Sequence, residues 1–217
     1  VLGGSQYEVI EPRLKTGKRK GEIGGRTCGE WFELAEDCEA RGYLPVLPDE
    51  LDSAQQVAGR VRAKLLALGL DLNGPECRKQ LTIRWMDLVP CEGTPDILWF
   101  SPGFVLCDDL KVSETANPST LEYHIEKQGW HIQAAAYESA RQASFAGTCG
   151  PHHLLIVDEK HDIVSRVPLS ESYMECGRRD WLRAQRMWLT CWQQSCWPEY
   201  SENPIQAPRS VMERCCG

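Results

Sequence analysis

A chain of 217 residues, of which 42% are hydrophobic, is long enough to bury one sizeable core, and a single globular domain is the expected size. The longest apolar stretches fall far short of the roughly 20 residues that a membrane-spanning helix needs, so we expect no membrane span. A net charge of -7 excludes a uniformly basic coat for nucleic acid, but a local positive groove would still be compatible with DNA as a partner.

The cysteines and the amino terminus bear on the cellular compartment. Eleven cysteines are an odd number for a disulfide framework, and their spacings do not repeat, which favours reduced thiols in a cytoplasmic protein. The chain begins at Val1, and no charged segment followed by an apolar one resembles a secretory signal. We therefore expect a cytoplasmic protein that is a fragment or has been processed.

The amino-terminal part combines a basic segment with two helices. Residues 7–10 form a possible strand, and a glycine-interrupted basic run follows that either grips phosphates or is a solvated loop. Apolar residues at helical spacing predict helices over residues 27–40 and 50–68. The basic run consists of Arg13, Lys15, Lys18, Arg19 and Lys20.

The rest of the chain alternates strands and helices. Three strand-like stretches look like consecutive antiparallel strands, because residues 101–103 supply a tight turn between the last two. An irregular tail is expected over residues 198–217. The predicted strands cover residues 81–88, 96–100, 104–110, 153–158 and 163–169, and the predicted helices cover 121–142 and 171–194.

Two carboxylates and a lysine lie on the second predicted hairpin. Asp96 begins one strand and Asp109 ends its partner, so the turn can bring both side chains together. Residues two apart in a strand face the same side, which places Lys111 beside Asp109. Carboxylate oxygens suit Mg²⁺, and a fixed positive charge stabilises negative charge on a phosphate under attack. The pattern is compatible with phosphodiester hydrolysis, although Asp-X-Lys also occurs by chance at solvated strand ends.

A helix supplies two further candidates. Gln133 and Tyr137 are four residues apart and share one helical face, and the three alanines between them allow close packing against a sheet. In a site they would project toward the carboxylates; otherwise they are polar residues on a helix surface.

Together these motifs resemble the exodeoxyribonuclease VIII (RecE-type) family, whose relatives are the lambda-type exonucleases and the RecB nuclease domain. The likeness extends over residues 18–200, and its central motifs are Pro95-Asp96, Asp109-Leu110-Lys111 and the segment 129–137. It implies an α/β fold of the PD-(D/E)XK (restriction-endonuclease-like) type, with a mixed central sheet flanked by helices, as a single nuclease domain over residues 1–217.

The resemblance also implies roles for the residues. Asp96, Asp109 and the Leu110 carbonyl would bind Mg²⁺, for which Mn²⁺ could substitute. Lys111 would be the catalytic lysine, and Gln133 and Tyr137 would orient the substrate. The implied activity is 5′-to-3′ digestion of linear double-stranded DNA in phage-type recombination, by a homo-oligomer of bacterial or phage origin that works with a single-strand annealing protein.

The sequence departs from the family pattern at three places. Val112 stands where Thr is frequent, and Gln80 stands where an acidic residue is frequent. The His or Glu of an upstream helix has no counterpart, so we expect that helix to have preceded Val1, with Glu92 and Glu76 as weak substitutes. A binding-only or scaffold module and an endonuclease of the same superfamily are therefore the alternatives.

Three other groups of residues could suggest a metal site or a base-stacking site, but each has a simpler explanation. The cysteines lack the close Cys-X2-Cys pairs of an iron-sulfur site. His152, His153 and His161 could suggest zinc, but surface or edge positions are the expectation. The tryptophans of the last helix share an apolar face, which favours core packing over base stacking. These tryptophans are Trp181, Trp188 and Trp192.

Overall fold

The computed structural model describes residues 6–15, 19–158 and 160–197. The expected tail at 198–217 and Lys18 lie outside the described residues. None of the described helices is both long enough and apolar enough to cross a membrane. The strands are β1 (Tyr7–Val9), β2 (Leu44–Val46), β3 (Cys77–Lys79), β4 (Ile83–Met86), β5 (Pro90–Gly93), β6 (Ile97–Ser101), β7 (Phe104–Ser113), β8 (Thr148–Asp158) and β9 (Ile163–Pro168). The helices are α1 (Gly29–Ala40), α2 (Pro48–Ala67), α3 (Pro118–Lys127), α4 (Trp130–Ser144) and α5 (Glu171–Gln194).

A mixed five-stranded sheet in the order β3-β6-β7-β8-β9 forms the centre. β6 and β7 are antiparallel, as the turn at residues 101–103 predicts, and β7 and β8 are parallel. The apolar residues of α2 pack against one side of the sheet, and those of α4 pack against the other. The predicted α/β fold class, with a mixed sheet flanked by helices, is confirmed.

The prediction of three consecutive antiparallel strands is wrong in its first member. β4 pairs with β5, and this hairpin forms a sheet of its own instead of extending the central one. The Asp87 carboxylate fixes the hairpin to the helices, since it accepts hydrogen bonds from Ser139 Oγ at 2.8 and 2.9 Å and from Trp181 Nε1 at 3.0 Å. Burial raises the pKa of Asp87, but these bonds outweigh burial and hold it below its ordinary value.

The single helix predicted over residues 121–142 is two helices. Gly129 has a φ of 67°, a left-handed conformation that favours glycine, and it separates α3 from α4. α4 in turn lies directly against α5 at Gly177, where an added Cβ would collide with the His131 carbonyl oxygen. The two helices therefore touch backbone to backbone at this point.

Two further predictions about side-chain burial are wrong. His152 and His153 are both buried, because β8 is an inner strand of the sheet and its two faces are covered. Trp188 and Trp192 are exposed, at 41% and 58%, because the apolar stripe of α5 continues past the part of the helix that is buried. Trp181 is half-buried, close to the expectation.

Candidate active site

The candidate residues meet where β6 begins and β7 continues beyond it. The last register pair of these strands joins Ile97 to Asp108, so Asp109, Leu110 and Lys111 lie past the end of β6. Asp96 directly precedes β6, and its Oδ2 accepts a hydrogen bond of 2.8 Å from the Leu110 backbone N–H. The hairpin therefore brings Asp96 against the Asp109-Leu110-Lys111 segment.

The Leu110 carbonyl also lies on the Asp96 side of β7. In an antiparallel ladder a residue exchanges both its N–H and its C=O with one neighbouring strand, so the two groups point the same way. Because the Leu110 N–H bonds to Asp96, its carbonyl is directed past the end of β6 as well. Two carboxylates and one backbone carbonyl are thus directed to the same place.

Asp109 is a buried carboxylate with few donors. It is 2% exposed, and its Oδ2 lies 2.5 Å from Lys111 Nζ in an ion pair, without a well-directed hydrogen bond from the described residues. Burial raises the pKa of Asp109 above its ordinary value, the Lys111 charge opposes that rise, and the neighbouring Asp96 carboxylate adds to it. An additional positive charge would stabilise this pair of carboxylates.

α4 places its two polar residues against Lys111. Gln133 Oε1 accepts a hydrogen bond of 2.6 Å from Lys111 Nζ, and Gln133 Nε2 donates to the Tyr137 hydroxyl at 3.2 Å. Tyr137 then donates to the Thr94 carbonyl at 3.3 Å. Since Thr94 and Asp96 belong to the short connection between β5 and β6, the contacts close a ring around the candidate site. The small residues Ala134, Ala135 and Ala136 are buried, which allows this close approach of α4.

The Tyr137 hydroxyl stays protonated at neutral pH. Burial raises the pKa of Tyr137 to about 12, and the charge of Asp109 contributes to the rise. The hydroxyl can therefore act as a donor, and it does so toward Thr94, whereas it is poorly suited to accept a proton as a base.

Gln80, which the sequence marks only as a departure from the family pattern, and His152, for which it predicts a surface or edge position, both lie next to the candidate site. Gln80 Nε2 donates to Asp96 Oδ1 at 2.8 Å, from a residue with a left-handed φ of 52°. His152 lies behind Tyr137, with ring centroids 6.3 Å apart, and neither ring nitrogen has a hydrogen-bond partner among the described residues. Burial and, to a smaller extent, the charge of nearby Arg141 lower the pKa of His152 to about 3, so the ring is neutral.

The residues present fit a hard divalent cation in the type of ligand but supply few ligands. The buried Asp109 oxygen, the adjacent Asp96 carboxylate and the Leu110 carbonyl are oxygen ligands that Mg²⁺ prefers. Within the described ranges no cluster of three or more His, Cys, Asp or Glu side chains could hold a metal ion. Glu92, one of the weak substitutes considered above, instead pairs with Arg84 on the β4–β5 hairpin.

The comparisons with known proteins bear on the fold. The chain is matched by no family model and by no curated protein. It is similar to the crystal structure of a presumed exonuclease from Eubacterium rectale, with a TM-score of 0.55 and 14% sequence identity, over 87% of this chain and 74% of that one. A likeness to the structure of SSO0001 has a TM-score of 0.32 and 16% identity over 58% of this chain and 62% of that chain, which is too low to support an argument. The first match supports the fold class.

Proposed function

We propose that this protein is a metal-dependent nuclease that hydrolyses phosphodiester bonds of DNA. The observation that carries the proposal is the ring of contacts joining Asp96, Asp109, Lys111, Gln133 and Tyr137. A buried carboxylate, Asp109, with the half-buried Asp96 and a fixed lysine beside it is an arrangement that phosphodiester hydrolysis can use and that the core of a fold does not require. The fold that this chain shares with a presumed exonuclease adds support.

Each side chain has a part in this proposal. Asp96, Asp109 and the Leu110 carbonyl would hold Mg²⁺, or Mn²⁺ in its place. When bound, such a cation neutralises the phosphate and acidifies an attacking water. Lys111 stabilises negative charge that builds up on the phosphate, because its ammonium group is fixed between Asp109 and Gln133. Tyr137 holds Gln133 in place and thereby orients Lys111.

The finer features of the proposal come from the family resemblance. They are exonuclease action from the 5′ end of linear double-stranded DNA, a role in phage-type recombination, a single-strand annealing protein as partner, and assembly as a homo-oligomer in the bacterial cytoplasm. The contacts within one chain support the chemistry of hydrolysis and leave these features to direct assay.

The decisive experiment measures the release of label from linear duplex DNA that is labelled at the 5′ end. The intact chain is incubated with Mg²⁺, with Mn²⁺ or with EDTA, and the variants Lys111→Ala and Lys64→Ala are treated in the same way. Lys64 is the matched control, because it is a half-buried lysine in the last turn of α2. We expect early release of labelled mononucleotide by the wild type and by Lys64→Ala, and no release by Lys111→Ala or in EDTA. Cleavage that persists in EDTA or in Lys111→Ala would overturn the proposal, and cleavage of covalently closed circles would change it to an endonuclease.

A binding module without catalysis is the second candidate, and one observation favours it. The described residues offer only two neighbouring carboxylates, without a third acidic or histidine ligand in the group. Mg²⁺ titration by isothermal calorimetry separates the candidates. Measurable binding that Asp109→Ala abolishes counts against the binding module, whereas DNA binding without Mg²⁺ binding or cleavage would favour it.

A further inference from the structure

A polar groove begins at Lys111 and runs away from the carboxylates. It encloses about 530 Å³ between the carboxyl-terminal part of β7 and the α3–α4 junction, and Glu114, His124, Gln128 and Trp130 line it beyond Lys111. Its volume lies in the range of roughly 300–1,000 Å³ that is usual for small-molecule sites. The groove shares Lys111 with the candidate active site, so a ligand in it would extend directly from that site.

Three aromatic rings lead from the groove to the surface: Trp130 and His124 line the groove, and Tyr123 lies beyond them. The Trp130 and His124 ring centroids are 6.4 Å apart, with the ring planes at 81°. The His124 and Tyr123 centroids are 6.1 Å apart, and Tyr123 is 60% exposed. This set of Trp130, His124 and Tyr123, which we call the ring line, leads from the half-buried Trp130 to solvent.

A lysine lies over each end of the ring line. Lys111 Nζ is 5.7 Å from the Trp130 ring centroid, and Lys127 Nζ is 5.4 Å from that of Tyr123. Both distances fall within the approximately 6 Å over which a cation is attracted to a ring face. Three aromatic rings thus lie between two cationic groups, a combination that is also found in sites that bind single-stranded nucleic acid.

The helical spacing of α3 keeps most acidic side chains off this path. Tyr123 and Lys127 are one turn apart on its outer face, and Leu121 and Ile125 are buried. Glu122 and Glu126 occupy a different face of α3, near Tyr173. Burial is the main cause that raises the pKa of Tyr173, and the charges of these two glutamates raise it as well. Among the described residues lining the groove, Glu114 is the acidic one, and it opposes an anionic ligand.

Local contacts hold the rings in position. His124 Nδ1 lies 3.3 Å from Ser113 Oγ at the end of β7. Trp130 packs against the buried cluster that contains Leu121 and Ile125. The His124 and Trp130 rings are therefore held in position before a ligand arrives, which lowers the entropy lost on binding.

We propose that the groove and its ring line bind unpaired nucleotides of a DNA strand next to the phosphate held at Lys111. This inference rests on the proposed function, because it takes the Lys111 end as the position of the attacked phosphate. A base can stack on a ring only when its own faces are free, which unpaired nucleotides allow and a continuous duplex does not. Lys111 and Lys127 would then contact the phosphates on either side of the stacked bases.

The test measures binding separately from cleavage. The full chain is titrated in EDTA, where the proposed nuclease is inactive, against a fluorescein-labelled oligothymidylate of about 12 nucleotides, by fluorescence anisotropy. Trp130→Leu and Tyr123→Leu keep an apolar side chain but remove the ring, whereas Trp130→Phe and Tyr123→Phe keep a ring. Trp192→Leu is the matched control, since Trp192 is an exposed tryptophan of α5.

We expect each leucine variant to weaken oligothymidylate binding about 5- to 100-fold, and each phenylalanine variant to stay within about threefold of the wild type. Trp192→Leu should bind as the wild type does, and Glu114→Gln should bind more tightly. Blunt duplex of the same length should compete less well than unlabelled oligothymidylate does. Thermal unfolding of each variant verifies its fold. If one of the two leucine variants is unfolded, the other leucine variant decides the outcome.

The outcomes distinguish this inference from the proposed function. Leucine variants that bind oligothymidylate as tightly as the wild type would overturn the inference, even where the wild type cleaves DNA. Equal losses in the leucine and phenylalanine variants would also overturn it, since they would indicate packing rather than stacking. Ring-dependent binding by a chain that never cleaves DNA would support nucleotide binding in the groove and contradict the proposed nuclease activity.

Discussion

Asp108 and Asp109 are neighbours in the sequence, lie on opposite faces of β7 and have opposite surroundings. Asp108 is 0% exposed, but it accepts hydrogen bonds from Trp99 Nε1 at 2.8 Å and from Arg166 Nε at 3.0 Å, and His153 lies 3.3 Å away. Burial raises the pKa of Asp108, yet these bonds outweigh it and hold the pKa below its ordinary value. The pKa of the adjacent Asp109 is raised.

The comparison separates a carboxylate that stabilises the fold from one that the fold merely tolerates. Asp108 is ionised and fully partnered, so its charge contributes to stability. Asp109 is buried with one lysine as its main partner, an arrangement that costs stability and is typical of functional sites. Equal burial therefore does not indicate an equal role; the number and kind of donors around each carboxylate does.

The largest effect should appear in activity. Asp109→Asn should slow DNA cleavage roughly 1,000-fold or more, because it removes several kcal/mol of charge stabilisation at about 1.4 kcal/mol for each factor of ten. Asp108→Asn should keep wild-type activity in the folded fraction, since Asp108 faces away from the site. The measurement is release of label from duplex DNA, normalised to folded protein. Similar losses of cleavage activity in both variants would show that the two carboxylates do not differ in this role.

Stability should respond in the reverse order. Asp108→Asn should lower the free energy of unfolding by about 3–5 kcal/mol, because it leaves the mostly buried Arg166 without its charge partner. Urea unfolding followed by circular dichroism measures the change. The double variant Asp108→Asn with Arg166→Met should recover part of the loss, and an Asp108→Asn protein as stable as the wild type would contradict the structural role.

A smaller effect should follow from Gln80→Glu. The side chain lies 2.8 Å from Asp96, so a glutamate there would add a third carboxylate to the group. We expect Mg²⁺ to bind about tenfold more tightly, as measured by isothermal calorimetry, with Gln80→Ala as the control without a carboxylate. Unchanged affinity would show that position 80 does not contribute to the cation site.

The smallest effect should appear in the pH dependence of stability. A carboxylate whose pKa is lowered by folding stabilises the folded state at pH values above its unfolded pKa, which is about 3.9. The contribution of Asp108 to stability is therefore lost as the pH falls through its folded pKa. A raised pKa acts oppositely, so ionised Asp109 costs stability once the pH rises above the same value. In EDTA, Asp109→Asn should gain about 0.5–2 kcal/mol at neutral pH and nothing below about pH 3.9. A gain that persists in acid would have another cause.

Elements set by local pattern could be predicted from the sequence. α5 has the predicted bounds, because its stripe of apolar residues and its Ser170 cap mark it clearly. The β6–β7 hairpin followed from its turn. β3 and β5 were missed, because strands of three and four residues carry no readable alternation and are fixed by their partners.

The candidate site divides in the same way. The shared face of Asp109 and Lys111 and that of Gln133 and Tyr137 follow from strand and helix periods, whereas the bond from Lys111 to Gln133 joins two elements. Tertiary contact also decided the errors at His152 and Trp192, because sequence gives no measure of which strand is central or where a long helix leaves the core. The roles of these site residues stay predictions.

The absence of a side chain at Gly177 has a consequence for the geometry around Lys111. Gly177 of α5 faces His131 and Ala135 of α4, whereas Ala136 and Ala140 of α4 pack against the sheet, and a Cβ added at Gly177 would collide with the His131 carbonyl oxygen. Gln133 is only two residues further along α4. Because the α4 and α5 backbones touch at this point, a single methyl group at position 177 would push the two helices apart close to Gln133, and we expect it to alter the bond from Lys111 to Gln133 without touching the site.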